Sequence, residues 1–377
     1  LLNCEENKMS KLNSFMQLFR NKKALLTGHT GFKGSWLSAW LHLLGADVYG
    51  ISLDNPPSQP SHFGAADFSK FVTEQRIDIR KSKELSECVN DIKPDFVFHL
   101  AAQALVRKSY DNPVETFQTN ALGTLNLLEA LRILGKKCAV VLITSDKCYN
   151  NLEWVWGYRE TDALGGPDPY SASKGAAELV IRSHVKSFFP INGTVHIAVG
   201  RAGNVIGGGD WAQDRIVPDC VRSWAKNETV QLRNPQAIRP WQHVLEPLSG
   251  YLTLAKGLYE KRELHGEPFN FGPLAYQNHS VQELVQAMSE HWEQVKWDDA
   301  SDKEVLHYES DLLKLNCDKA LHHLHWQAVL PFQETVRMTA EWYRSYYNNS
   351  SMIRDVTFSQ INEYEALAQN KGLRWAL

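Results

Sequence analysis

The sequence predicts an α/β protein built on a doubly wound parallel sheet, with a smaller, mostly helical lobe at its C-terminal end. Three observations carry that expectation. Short apolar runs alternate with helical apolar patterns from residue 21 to about 200. The first run, Ala24-Leu25-Leu26, breaks into three glycines spaced three apart, and a helical pattern through Trp36, Leu37, Trp40, Leu41 and Leu44 follows at once. The fifth run, Ala139-Val140-Val141-Leu142-Ile143, is apolar throughout, as a central strand covered on both faces requires.

The glycines, Gly28, Gly31 and Gly34, sit between a strand and a helix. Such a turn aims backbone N–H groups and a helix N-terminus at a pyrophosphate, the opening of a Rossmann-type unit. A second strand, Val48 to Leu53, ends at Asp54, where that fold places a carboxylate on an adenosine ribose. A turn aspartate before Asn55-Pro56-Pro57 is the other reading. A carboxylate there would repel a 2′-phosphate and favours NAD over NADP, although Lys33 in the turn could serve either.

Pro56 to Lys70 reads as a polar loop, Arg76-Ile77-Asp78-Ile79 as a third strand, and the stretch through Leu85 and Val89 as a helix. Asp95 to Leu100 is a fourth strand, running into the small residues Ala101-Ala102. Pro113 opens a long helix with Ala121, Leu125, Leu128, Leu131 and Leu134 on one stripe, and Pro169 opens another with Ala172, Ala176, Leu179 and Val180. Beyond Gly200 the alternation fails. Gly207-Gly208-Gly209 reads as a flexible loop, Pro268 to Gly272 as one more sheet strand, and helices are expected near 281–291 and 332–347. The tail after Asn348 is polar and has no predicted place. These signals divide the chain into residues 21–200, with returning segments near 236–275, and a lobe over 201–377.

At 377 residues the chain exceeds one small domain, and 43% apolar residues suffice for a large core. A net charge of −3 with mixed signs gives no footprint for nucleic acid or an anionic membrane. No apolar run is long enough for a membrane span, and no signal peptide precedes the first strand, so a cytoplasmic protein is expected. Its six scattered cysteines, without C-x-x-C pairs, read as reduced thiols, with Cys138 in the core. Residues 1–8 precede Met9 and are set aside.

The chemistry concentrates at two stretches. The fifth strand ends in Thr144-Ser145-Asp146-Lys147, and Tyr170-Ser171-Ala172-Ser173-Lys174 opens the later helix. In a parallel sheet that strand end faces the same side as the glycine turn. Tyr170 and Lys174 are i and i+4, one above the other on a helix face. An ammonium beside a phenol lowers its pKa from about 10 toward a usable base, and a serine hydroxyl can bond the same substrate oxygen. His322-His323-x-His325 lacks a carboxylate at ligand spacing and reads as a solvated helix end, so no metal is expected. No G-x-S-x-G elbow surrounds Ser145, which argues against a serine hydrolase.

With these residues in view, the chain resembles the extended short-chain dehydrogenases/reductases that modify nucleotide sugars, over residues 22–275 and more loosely beyond. Thr27 to Ser35, Thr144 to Lys147 and Gly165 to Tyr170 resemble its CDP-glucose 4,6-dehydratase branch. The resemblance implies that Gly28, His29, Thr30, Gly31, Phe32, Lys33, Gly34, Asp54, Asp78, Ile79, Ala101, Ala102, Gln103 and Thr119 contact NAD, with Tyr170 and Lys174. It puts Asn204, Arg215, Arg239 and His243 on the nucleotide of the sugar substrate. Ser145, Asp146, Lys147, Tyr170 and Lys174 would be catalytic, in a dehydration serving deoxysugar and lipopolysaccharide O-antigen biosynthesis. A homodimer pairing through the helices from Pro113 and Pro169 is implied as well. Related dTDP-sugar dehydratases carry Asp-Glu where this chain has Asp146-Lys147, which leaves open the group that removes the C5 proton. A 4-epimerase needs the Ser/Tyr/Lys set without the acid; a non-catalytic dinucleotide sensor needs neither.

Overall fold

A computed structural model describes residues 14–292, 295–300 and 312–377. Cys4 and the residues before Met9 lie outside them. Its strands, in chain order, are β1 (Lys23–Thr27), β2 (Asp47–Ser52), β3 (Val72–Arg76), β4 (Phe96–His99), β5 (Cys138–Ile143), β6 (Val195–Arg201), β7 (Val205–Ile206), β8 (Val230–Leu232), β9 (Ile238–Arg239), β10 (Gln242–His243), β11 (Pro268–Asn270), β12 (His279–Ser280) and β13 (Trp297–Asp299). Seven form one parallel sheet in the order β11-β6-β5-β4-β1-β2-β3. The order reverses between β1 and β4, and the crevice at such a switch point is where doubly wound folds bind ligands.

Alternation along the strands shows why both faces are covered. Leu26, Phe96, Phe98, Ala139 and Val141 join a core beneath the helices Phe32–Leu43 and Leu245–Glu260. Leu25, Val97, Val140 and Leu142 face a second core formed with Ser82–Ile92, Gly123–Arg132 and Pro169–Phe188. A continuous apolar run is therefore two interleaved faces, each with its own partner. The return of Pro268–Asn270 to the sheet beside β6 agrees with the sequence.

Several expectations need correcting. The third strand is Val72–Arg76, starting four residues earlier than predicted, because Ile79 leaves the sheet to bury its side chain against Gly123. The expected polar loop holds a short helix, His62–Ala65, capped by Ser61, with His62 and Phe63 buried. The long helix from Pro113 is interrupted: Pro113–Phe117 passes through a wide turn at Gln118–Leu122 before Gly123–Arg132 resumes. Leu179 points outward at 58% exposure rather than into a core. The flexible glycine loop is buried, since a Cβ at Gly208 would lie 2.0 Å from the Trp342 side chain.

The polar tail is structural too. Helix Ile353–Asn370 packs on Phe32–Leu43 and on Phe332–Asn348. His62 bonds Thr357 across this junction at 2.9 Å. Trp375 stacks on Phe15 at 5.4 Å and on Tyr364 at 5.7 Å, so the last turns of chain close over the first described helix, Ser14–Phe19.

Candidate active site

The glycine turn has the geometry its spacing promised. Gly28 has φ +77°, and a Cβ there would meet the Ala101 backbone nitrogen at 2.8 Å across the switch point. Gly34 lies so close under the turn that a Cβ would fall 2.1 Å from the Gly28 carbonyl oxygen. Gly31 caps helix Phe32–Leu43 without a side-chain acceptor, leaving first-turn N–H groups for an anion. Thr27 Oγ1 and His99 Nδ1, 2.6 Å apart, tie the two strands at the crevice floor.

Tyr170, Lys174, Ser145 and Asp146 are all buried where β5 meets helix Pro169–Phe188. Asp168 caps that helix by accepting from the Ser171 N–H at 2.9 Å. Ser145 caps the short turn Asp146–Cys148 and donates its hydroxyl to Asp146 Oδ1 at 2.8 Å. The Lys147 N–H donates to the same oxygen at 2.9 Å. The Asp146 carboxylate fits because residue 203 is glycine: a Cβ there would lie 1.8 Å from Oδ2. Lys147 lines a small recess with Asn151, Gly166, Pro167 and Asp168.

The electrostatics differ from the expectation of a lowered phenol. Burial pushes Tyr170 up to about 12, and contact with Ser145 pulls the other way. Water exclusion outweighs the neighbouring charge in the free site, so the phenol stays protonated there. Burial lowers Lys174 to about 8, against Cys148 and Glu178, which favour its ammonium. Lys33 is likewise lowered to about 8, first by burial and next by Arg215, while Asp146 and Asp210 oppose the shift. Arg215 pairs with Asp210 at 2.7 Å, and its charge acts on Tyr170.

Other predicted residues are placed differently. His29 is fully buried with its ring against Gly50, bonds Glu74 at 2.9 Å and is lowered by burial. Its side chain braces β2 and β3, so only its backbone lies in the turn. Thr30 is buried, and Phe32 packs toward Gly207, 3.3 Å from the site of its absent Cβ. Gln103 gives its side chain to Thr116 Oγ1 and the Leu105 carbonyl, each at 3.0 Å. Ile79 is in the core, and its carbonyl accepts from Asn126 Nδ2 at 3.0 Å. His243 lies under Trp36, is held near 3 by burial, and cannot present a charge to a phosphate. Arg239 turns back on the Ile238 carbonyl at 2.9 Å. Asp54 is exposed at the end of β2, and Asp78 accepts Arg80, which lowers its pKa. Ala102 and Asn204 are half-buried in the loops beyond β4 and β6, and Thr119 is half-buried in the wide turn Gln118–Leu122.

Sequence reasoning passed over Gly203, Asp210 and Asn120. Asn120 sits in the wide turn, accepts the Gln103 N–H at 2.8 Å and donates to Ser173 Oγ at 2.8 Å, joining the crevice wall to helix Pro169–Phe188. A wide turn in a helix often marks a functional site, but it leaves no signature in apolar spacing. Among the described residues no cluster of three or more His, Cys, Asp or Glu is arranged for a metal, and His322, His323 and His325 are exposed. Nor is any described helix long and apolar enough to cross a membrane. The five described cysteines are free thiols.

A glycine cradle at the switch point, with Ser145, Tyr170 and Lys174 beside it, defines a short-chain dehydrogenase/reductase of the extended type. Residues 25–339 match the family model of GDP-mannose 4,6 dehydratase, and the chain belongs to that family. It is 47% identical over 342 residues to a CDP-glucose 4,6-dehydratase of Salmonella typhimurium, covering 89% of this chain and 94% of that one. A CDP-paratose 2-epimerase of Salmonella typhi is 27% identical, over 71% of this chain and 84% of its own. A UDP-glucose-4-epimerase of Stenotrophomonas maltophila, solved with bound NAD, superposes with a TM-score of 0.75 at 22% identity, over 87% of this chain and 99% of that one.

Proposed function

We propose that the chain is an NAD-dependent CDP-glucose 4,6-dehydratase, converting CDP-glucose to CDP-4-keto-6-deoxyglucose. One observation carries the choice over epimerisation: a buried carboxylate, Asp146, shares the pocket with Ser145 and Tyr170 because Gly203 makes room for it. A 4-epimerase has no use for that acid. The 47% identity to a dehydratase of that name supports the sugar nucleotide.

The cradle fits a dinucleotide. Substitution at Gly28 or Gly34 would drive a methyl into backbone, and the uncapped helix behind them offers N–H groups to a pyrophosphate. Bound there, NAD⁺ would accept hydride from C4 of the sugar and return it to C6. The protein's own groups do the rest. The phenol must first give up its own proton to solvent, which the Lys174 ammonium and the positive charge a bound NAD⁺ would bring favour; as phenolate, Tyr170 Oη takes the C4 hydroxyl proton, with Ser145 Oγ holding the same oxygen. The 4-ketone acidifies C5. Asp146 acts in its acid form, giving its proton to the C6 hydroxyl, which leaves as water, and becoming the carboxylate. For the C5 proton, Lys147 adjoins Asp146 in the chain and Lys33 interacts with it through charge; Lys33, lowered to about 8 by burial, is in part neutral at working pH. Arg215 stands beside the reacting groups with charge for a diphosphate.

Two finer points belong to the same reading. The protein works as a cytoplasmic homodimer: Val114 and Leu122 on the helices from Pro113, with Leu179 on the helix from Pro169, are 68%, 50% and 58% exposed, an apolar face suited to a second copy. Its product would feed deoxysugar assembly for O-antigen.

The test is a product assay with NAD⁺ and CDP-, UDP-, GDP- and dTDP-glucose. The reading expects a 4-keto-6-deoxy sugar, formed fastest from CDP-glucose. Inversion at C4 without loss of water would sink it in favour of an epimerase.

A further inference from the structure

Beneath the reacting groups lies a buried ion pair that the mechanism above leaves unused. Arg201, the last residue of β6, gives Glu178 two parallel hydrogen bonds, Nε to Oε1 and Nη2 to Oε2, both 2.8 Å. Both side chains are nearly solvent-free, at 3% and 4% exposure. Glu178 lies one turn beyond Lys174 and two beyond Tyr170 on the catalytic helix. Thr144, the residue before Ser145, donates its hydroxyl to Glu178 Oε1 at 2.6 Å. The remaining guanidinium nitrogen donates to Tyr149 Oη at 2.7 Å and to the Glu160 carbonyl at 3.1 Å. One carboxylate thus touches both stretches that carry the chemistry.

Burying two ions is expensive, and well-packed apolar residues of the same volume are often at least as stable. Fold stability alone therefore gives little reason to keep this pair. Its location gives a better one, because a misplacement of about 1 Å between reacting groups can cost on the order of 10²-fold in rate.

We propose that Glu178 is a positioning residue for the dehydratase reaction: held by Arg201, it fixes the Ser145–Asp146 strand end against the Tyr170–Lys174 helix face and places a negative charge beneath Lys174. This rests on the function proposed above. The groups acting on Lys174 make the charge argument specific. Lys33, from the glycine-turn helix, repels it, and His99, at the end of β4, is held neutral near 3 by burial. Two groups favour the ammonium, Cys148 and Glu178, and burial keeps the Cys148 thiol protonated. The negative charge beneath Lys174 is therefore Glu178's. Tyr170 shares its helix and stays protonated in the free site.

The experiment measures kcat and KM for CDP-glucose from about pH 6 to 9, with melting curves, in wild type, Thr144→Val, Glu178→Gln and Glu178→Gln with Arg201→Met. Glu178→Gln should lower kcat by about 10-fold or more with KM within about twofold, and move the alkaline limb of kcat down by about one pH unit. The double variant, which also removes the orphaned cation, should bring the limb back toward wild type while kcat stays low. Thr144→Val keeps the pair, so kcat should fall severalfold with the limb in place. A folded Glu178→Gln with wild-type kcat and limb overturns the proposal. If that variant does not fold, wild-type kcat in Thr144→Val overturns it instead. A wild type that inverts C4 without losing water rejects the dehydratase reading, and the variants are then scored in the same way on the inverted sugar.

Discussion

Asp146 can stand where it does because residue 203 has no side chain, and that dependence can be tested from both ends. Gly203→Ala puts a methyl 1.8 Å from Oδ2, so the carboxylate must swing away. Dehydration should fall about 10²-fold while the melting temperature moves little. Asp146→Asn keeps the shape and loses the proton; steady-state assays should show product formation down by about 10²–10⁴-fold. Exchange of the C5 hydrogen in heavy water should persist in that variant, since C4 oxidation precedes water loss. Normal dehydration in Asp146→Asn would make the acid structural. Ser145, Tyr170 and Lys174 were legible in the sequence because strand end and helix spacing fix them locally. Gly203 was not, because its role exists only once β6 lies beside β5. His243 misled for the converse reason: an imidazole beside an arginine looks like a phosphate ligand until Trp36 is seen to cover it.

At the scale of elements, apolar patterns located five of the seven central strands closely, and the glycine turn located the crevice; Val195–Arg201 was not singled out. The third strand slipped because Ile77 and Ile79 look like strand residues, yet Ile79 is recruited by the gap at Gly123. The tail went unplaced because its helix shows solvent a polar face, and the aromatic residues it buries are spread between Tyr364 and Trp375. Trp375 is 3% exposed and packs on Phe15, Trp40 and Tyr364. Trp375→Ala should therefore cost about 3–5 kcal/mol in urea unfolding, a core penalty from a residue in the polar tail. A loss below about 1 kcal/mol would show the tail to be loosely docked.

For the whole molecule, buried histidines set the acid limit. Burial lowers His62, His99 and His243 from 6.5 to about 3, so below about pH 6.5 the unfolded chain takes up three protons that the folded chain refuses. Glu246 works in the opposite sense. Burial raises it to about 7, so between about pH 7 and its unfolded value near 4.3 the folded chain binds the extra proton. Counting only these strongly shifted groups, three against one makes stability fall as pH drops from about 6.5 toward 4.5, by roughly 2–3 kcal/mol per unit from them. Urea midpoints measured across that window should decline steeply; a flat response would mean the histidines are hydrated. Association is testable at the same scale: Leu179→Asp should convert a dimer to monomers in sedimentation, and no change would remove that helix face from the interface.

The crowding of Lys33, Lys174 and Arg215 around Asp146 and Asp210 bears on how a substrate arrives. On a chain of net charge −3, the three cations outnumber the two carboxylates while all five are ionised, before Lys33 and Asp146 take the neutral forms in which they act. A doubly charged diphosphate is thus drawn toward the crevice and repelled elsewhere. Encounter and turnover then answer to different solvents: added salt slows capture of dilute substrate, while the chemistry inside the water-poor pocket, screened by protein rather than by ions, continues at its own pace.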